Sequence, residues 1–343
     1  MSIRFIEGFD NYVKATDANR KWQIGNLGIS TLQNGRDTYG KSLKFLGPHS
    51  EDAYLVTPSL GNASTLIIGF AFKDDNMPSA PFKLLSFMDL SDSQIDLYFD
   101  PSTHNFSFRR AIDDIVGTGT RLVSDNTWVY VEVKATIHSS TGSVQLKINE
   151  QSDITVTGAN TQASANGHNY ANTISFFKPS AYSTSYSLDD LYILDSNGSA
   201  NNDFLGDMKV EALVPIGTGT NSGWTAVGDS PNWKCVVSNN ATYVETSTLN
   251  AKDTYQISDL TYITNAIAGI GVNIFVKNTD GQSNHIKSVI RSGGVDNDSA
   301  ASNFVNDVDF KCQTFVQETD PNTSSAWTAA ALNSAEFGMK LLA

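Results

Sequence analysis

A chain of 343 residues exceeds one ordinary small core and matches two domains of common size. A hydrophobic content of 40%, with 18 Phe, 12 Tyr and 5 Trp, excludes wholesale disorder. A formal net charge of −13 repels phosphate backbones and anionic lipid, so neither nucleic acid nor membrane is an expected partner. Cys235 and Cys312 make no disulfide framework and read as two small hydrophobes. The opening MSIRFIEGFDNY lacks the apolar run of a secretory signal, and no stretch is long and apolar enough to span a bilayer. Synthesis and folding in a cytoplasm are therefore expected.

The pattern along the chain is that of strands. Phe5 to Tyr12 alternates bulky and polar residues. Glycines and turn formers separate Ile29–Leu32 from Ser42–Leu46, which predicts a hairpin. Ser64–Lys73 is almost continuously apolar and too short for a helix, as a central strand covered on both faces requires. Leu84–Asp89, Gln94–Phe99 and Asn105–Arg109 follow at close spacing. Then TWVYVEVKATIH, an SSTG turn and SVQLKINE form a second hairpin, each half alternating in period two. Thr173–Phe177 leads to Ser187–Asp195, SLDDLYILD, a mostly buried last strand. The small polar residues of SNGSANND then mark a boundary, giving domains over residues 1–198 and 199–343.

Strand signals resume in KVEALVP, KCVVS, TYVET, DTYQI, IAGIGVNIFVKN, HIKSVIRSG and VDFKCQTFVQE, which predicts a second antiparallel sandwich or jelly roll. One short helix is expected within Thr323–Glu336, where alanines follow a Ser/Thr start and Gly338 lies just beyond. EFGMKLL would close the sheet.

The motif EGFDNY paired with DDLYILD, the W-VYVEVKATI and G-VQLKINE hairpin, and the NGS-NNDFLGD junction resemble bacteriophage virion proteins carrying a concanavalin A-like (LamG-like) sandwich followed by a second β domain. The resemblance covers roughly Phe5 to Asp195. A WT-AALN-AEFG-K ending also resembles the tails of such proteins. The resemblance implies an all-β chain of two sandwiches, the first a concanavalin A-like jelly roll. It also implies a non-enzymatic structural role in the virion, as capsid decoration or a tail or baseplate appendage. The chain would be assembled in the host cytoplasm, touching other virion proteins as a homo-oligomer.

No HExxH, GxSxG or CxxC occurs, so the signatures of zinc hydrolysis, the hydrolase elbow and dithiol redox are missing. His49, His104, His138 and His168 fall in predicted loops without acidic or cysteine partners at ligand spacing, and His285 falls in a strand. Asp74–Asp75, Asp113–Asp114 and Asp189–Asp190 are adjacent pairs. In a regular strand the last pair would face opposite ways unless a bulge intervened. No cofactor is implied beyond a structural calcium at Asp10, Asp189 or Asp190, which the resemblance brings. Asp296 and Asp298 begin like a calcium loop but lack its glycine and glutamate.

Two rival functions are carried. The first is a host-surface glycan-binding adhesin, since Trp22, Tyr39, Trp224, Trp233 and Trp327 lie near Asn-, Ser- and Gly-rich loops. Its contact residues would be Trp224, Asp229, Asn232 and Trp233 in the loop WTAVGDSPNW. The other is a jelly-roll polysaccharide lyase or hydrolase, for which the sequence offers no identifiable catalytic set.

Overall fold

The computed structural model describes residues 2–23, 30–37, 40–47, 53–76, 80–111, 114–163, 167–178, 184–237, 241–262, 266–282 and 284–343. The sequence-selected residues Ile29, Tyr39, His49 and Asp113 lie outside these. The chain is all-β, in two compact units, Met1–Val210 and Glu211–Ala343. The division falls after Val210 rather than after residue 198, because residues 203–210 are hydrogen-bonded to the first unit. Leu205 N donates to the Tyr192 hydroxyl, Gly206 N to Glu132 and Val210 N to Asp190.

The first unit contains β1 (Ile3–Glu7), β2 (Thr31–Asn34), β3 (Lys41–Leu46), β4 (Ala53–Val56), β5 (Thr65–Asn76), β6 (Phe82–Asp89) and β7 (Asp92–Asp100). These are followed by β8 (Asn105–Ala111), β9 (Asp114–Thr118), β10 (Trp128–Thr136), β11 (Gly142–Ile148), β12 (Gln151–Ala159), β13 (Thr173–Phe177) and β14 (Ser185–Asp195). Among the described residues they form two antiparallel sheets. The eight-stranded sheet runs β12-β11-β10-β5-β14-β3-β2, with β1 also on β14, and the six-stranded sheet runs β4-β13-β6-β7-β8-β9.

The predicted pairings are present. First and last strands meet, with Phe5 opposite Ile193 and Glu7 opposite Leu191. The TWVYVEVKATIH–SVQLKINE hairpin is β10–β11, with Val133 opposite Leu146. The nearly continuous apolar run is β5, held between β10 and β14 with Phe70, Ala71 and Phe72 fully buried. Aromatic rings fill the space between the sheets. Phe72 packs edge-on to Phe99 at 5.2 Å and to Phe106 at 5.7 Å, and Phe70 meets Phe176 at 5.5 Å.

The second unit contains β15 (Pro215–Ser222), β16 (Thr225–Val227), α1 (Asn232–Val236), β17 (Tyr243–Glu245), β18 (Lys252–Ile257), β19 (Ile270–Val276) and β20 (Asn284–Ser292). It continues through β21 (Val295–Asp298), β22 (Asn303–Val305), β23 (Lys311–Gln317), α2 (Ala329–Ser334) and β24 (Glu336–Leu342). Its main sheet runs β15-β18-β24-β20-β21, with β22 on β20. The β19–β23 ribbon packs on this sheet through Ile274 and Phe315, which share a core with Tyr255, Ile286, Val305 and Met339.

Two predicted strands of this unit take other forms. KCVVS is largely α1, because one turn of helix seats Cys235 in the interior and Trp233 and Val236 on the core. KVEALVP has no strand before Pro215; strand β15 lies instead in PIGTGTNS, against β18. The predicted C-terminal helix is shorter, Ala329–Ser334, with Thr328 Oγ1 accepting from Ala331 N at 3.1 Å as its N-cap. Both cysteines are free thiols, Cys235 buried and Cys312 half-buried.

Candidate functional site

The four loop residues selected from sequence lie in one segment but are largely committed inward. Trp224 and Trp233 are half-buried against the second unit's core. The Trp224 indole N–H donates to the Ala251 carbonyl at 3.2 Å. Asn232 uses its amide nitrogen on the Trp224 carbonyl and on Asp253 Oδ2, both at 2.8 Å. Asp229 is exposed and accepts from Ser230 N at 2.7 Å. Asp253 is fully buried and its acid is raised by burial, against hydrogen bonds from Tyr255 and Asn232. Trp22 and Trp327 are core residues; the Trp22 indole donates to Glu7 at 3.0 Å.

At Asp189 and Asp190 the bulge required for a shared site is present. Pairing of β14 with β5 shifts between Asp189 and Tyr192, and Asp190 has φ 49°. All four carboxylate oxygens accept N–H groups. Asp189 takes Asp190 N and Arg36 N, both at 2.8 Å, while Asp190 takes Val210 N at 2.7 Å and Arg36 Nε at 2.9 Å. The donor set does not fit calcium, because the guanidinium of Arg36 supplies the positive charge and the oxygens are spent. Burial first, and the adjacent Asp190 second, push the Asp189 acid up to about 8. Asp296 and Asp298 are likewise paired internally, with Lys252, Lys340 and Arg291.

The surface richest in ligand-type chemistry is the face of the six-stranded sheet that points away from the core. Along β7, Ile95, Leu97 and Phe99 face inward, so Gln94, Asp96 and Tyr98 face out. Register extends this into two cross-strand rows, Ser175–Ser86–Asp96–Arg109 and Lys83–Tyr98–Ser107–Thr118. Ser86, Asp96, Tyr98, Ser107 and Ser175 are recessed, each no more than 9% exposed. Two cations rise above them. Arg109 stacks over the Tyr98 ring at 4.3 Å, and Lys83 sits 4.3 Å above the Phe177 ring and 3.8 Å from Asp96. The Asp96 carboxylate accepts from the Ser86 and Ser93 hydroxyls, yet burial holds its acid above the usual range.

A histidine stands at one end of this face. Gln94, fully buried, donates to the carbonyls of His168 and Tyr170 at 3.0 and 3.1 Å, which pins that segment beside β7. The His168 ring stacks on Tyr170 at 4.8 Å, and its Nδ1 lies 2.7 Å from Asp89 Oδ2. Asp89 is fully buried and also accepts from Asn172 at 3.3 Å. A buried carboxylate on Nδ1 fixes the ring and directs Nε2 away from it, an arrangement able to move a proton.

The expectation that the loop histidines lack acidic partners therefore fails for His168, and also for His104, whose Nδ1 is 3.3 Å from Asp125. The fold, not sequence spacing, makes these pairs. His138 caps a turn, its Nδ1 accepting from Ser140 N and Thr141 N at 3.1 Å each, and His285 packs against Phe304. Sequence reading missed Lys83, Asp96, Tyr98 and Arg109. Their signal was the alternation in SQIDLYF and NFSFR, which marks a polar sheet face.

No family model and no curated protein matches the chain. Among solved structures it is similar to alginate lyase Aly36B, at 11% identity and TM-score 0.41, over 55% of this chain and 95% of that one. It is similar to domain 4 of AbnA, an extracellular GH43 arabinanase from Geobacillus stearothermophilus, at 11% identity and TM-score 0.37, over 56% and 92%. A Trypanosoma rangeli sialidase is similar at 12% identity and TM-score 0.32, over 48% of this chain and 26% of the sialidase. Likenesses at this level assign no activity. The expectation of a chain without enzymatic activity runs against these neighbours, a lyase, a sialidase and an arabinanase, and is not kept.

Proposed function

We propose that this chain is a bacteriophage virion component that engages an acidic saccharide along the outward face of the six-stranded sheet of its first unit. The virion setting, with contacts to other particle proteins and to further copies of the chain, rests on the sequence resemblance. One observation carries the saccharide reading: Arg109 over Tyr98 and Lys83 over Phe177 border a recessed row of hydroxyls and one carboxylate, on a sheet face that the core does not use. The two cations above the recessed row select for carboxylates, with the polar groups beside them available to sugar hydroxyls. Two cations against one carboxylate favour an anionic ligand here, on a chain whose net charge is −13.

The test is calorimetric titration of the full chain with oligogalacturonate and, separately, with neutral dextran fragments. The reading predicts binding of the acidic series that weakens with salt, and loses roughly tenfold or more in Arg109→Ala, as expected when a charged hydrogen bond worth about 1.5–3 kcal/mol is removed. Equal binding of both series, or undiminished binding by Arg109→Ala, refutes it. Particle imaging with a label on this chain tests the virion setting independently.

The His168–Asp89 pair favours a second reading, turnover of the bound saccharide with His168 moving a proton. Shortened oligosaccharides that the native chain produces and His168→Ala does not would establish it.

A further inference from the structure

We propose that Asp74, His104 and Asp125 form a divalent transition-metal site, of the zinc class, that ties the two sheets of the first unit together. The three side chains come from separate segments. Asp74 lies near the end of β5 in the eight-stranded sheet, His104 lies in the turn joining β7 to β8 in the six-stranded sheet, and Asp125 lies in the segment leading to β10. One ligand atom from each falls within 4.8 Å of the other two, and His104 Nδ1 is 3.3 Å from Asp125 Oδ1. Bonds of about 2.0–2.2 Å to a tetrahedral ion place its ligands roughly 3.3–3.6 Å apart, so the His104–Asp125 edge already has the required length.

The ring nitrogen is the second observation. His104 Nδ1 is buried and lies 3.3 Å from Asp125 Oδ1 without a well-formed hydrogen bond, while the rest of the ring is partly exposed. A buried ring nitrogen set beside carboxylates without a well-formed hydrogen bond is a position that a metal ion can satisfy. The surrounding backbone holds the three segments in place. Val123 N donates to the His104 carbonyl at 2.8 Å, and Asn126 N donates to the Asp74 carbonyl at 2.7 Å.

Charge and ligand type then choose the ion. Two carboxylates balance a divalent charge, and one imidazole favours zinc over calcium, which prefers an all-oxygen shell. Asp74 is 3% exposed whereas Asp125 lies at the surface, so the ion would sit at a rim with its fourth position open to water. Because its ligands come from both sheets, binding would stabilise the folded state by mass action.

The full chain, stripped with chelator, is titrated with cobalt(II) and then zinc(II). The expected result is one equivalent of cobalt giving the visible absorption of a tetrahedral nitrogen–oxygen site, displaced by one equivalent of zinc, with a rise in the melting temperature. Asp125→Asn weakens zinc by at least about tenfold, His104→Ala abolishes the absorption, and His138→Ala leaves it unchanged. The site lies at the rim, so both ligand variants should keep the native circular dichroism spectrum. The proposal is overturned if neither ion binds, if binding survives His104→Ala, or if calcium binds at this place in preference to zinc.

Discussion

Substituting Gly69 with Ala tests how the first unit fixes its junction segment. Gly69 on β5 lies opposite Glu132 on β10 and Tyr192 on β14, and the Tyr192 ring crosses the space where a side chain would stand. An added Cβ would come within 2.5 Å of Tyr192 Cζ and 2.8 Å of its hydroxyl oxygen. The ring cannot yield cheaply. Tyr192 is 3% exposed, donates to Glu132 Oε1 at 2.6 Å and accepts from Leu205 N at 3.1 Å. Moving it would leave the buried Glu132 carboxylate short of a donor. Overpacking costs about 1–3 kcal/mol and loss of a hydrogen bond to a charged group about 1.5–3, so Gly69→Ala is expected to destabilise the first unit by about 3–5 kcal/mol. Urea unfolding, with hydrogen exchange at β5 to assign the transition, measures this. In the Tyr192→Leu background the obstructing ring is gone and the same substitution should cost under about 1 kcal/mol. A small penalty in the native chain, or an undiminished one beside Tyr192→Leu, would show that Tyr192 is not what bars a side chain at position 69.

Other outcomes follow from the same packing and electrostatics. The Asp189 acid, at about 8 in the folded chain, keeps a proton that an unfolded aspartate releases near about 3.9. The stabilisation is full below the unfolded value and lost as pH rises toward 8, with a limiting slope of about 1.4 kcal/mol per pH unit for the Asp189–Asp190 pair. Unfolding midpoints from about pH 4 to pH 9 check this; Asp189→Asn should flatten the profile, and an unchanged slope contradicts the assignment. Thr328→Ala removes the N-cap of α2 and should lower the second unit's stability by about 1 kcal/mol by urea unfolding. Asn232→Ala takes a donor from the buried Asp253 and a brace from the Trp224 carbonyl, so a loss of about 1–3 kcal/mol is expected.

Most of the first unit could be read from the sequence because its strands carry period-two or continuous apolar patterns that only a sheet satisfies. Trp128 to Ile148 is the clearest case, since alternation, turn and register agree there. The second unit was less legible where tertiary packing overrides local preference. Lys234–Val237 has strand-like residues but lies in or beside one turn of helix, because Cys235 and Val236 reach the interior that way. Conversely, PIGTGTNS has a turn-like composition yet extends along β18, with burial alternating residue by residue. Functional chemistry was legible only in part. Trp224 and Trp233 stand out in the sequence for their size, but the fold uses both against its core. Asp96 and Arg109, or Asp74, His104 and Asp125, become neighbours only through strand register and turns, which no motif spacing announces.

Hydrogen-exchange footprinting of the full chain with saturating oligogalacturonate tests the acidic-saccharide site proposed for the outward face of the six-stranded sheet. Slowed exchange is expected in β6, β7 and β8, around Lys83, Tyr98 and Arg109, with no change in the loop from Trp224 to Trp233. Protection confined to that loop, or no protection anywhere, would contradict it.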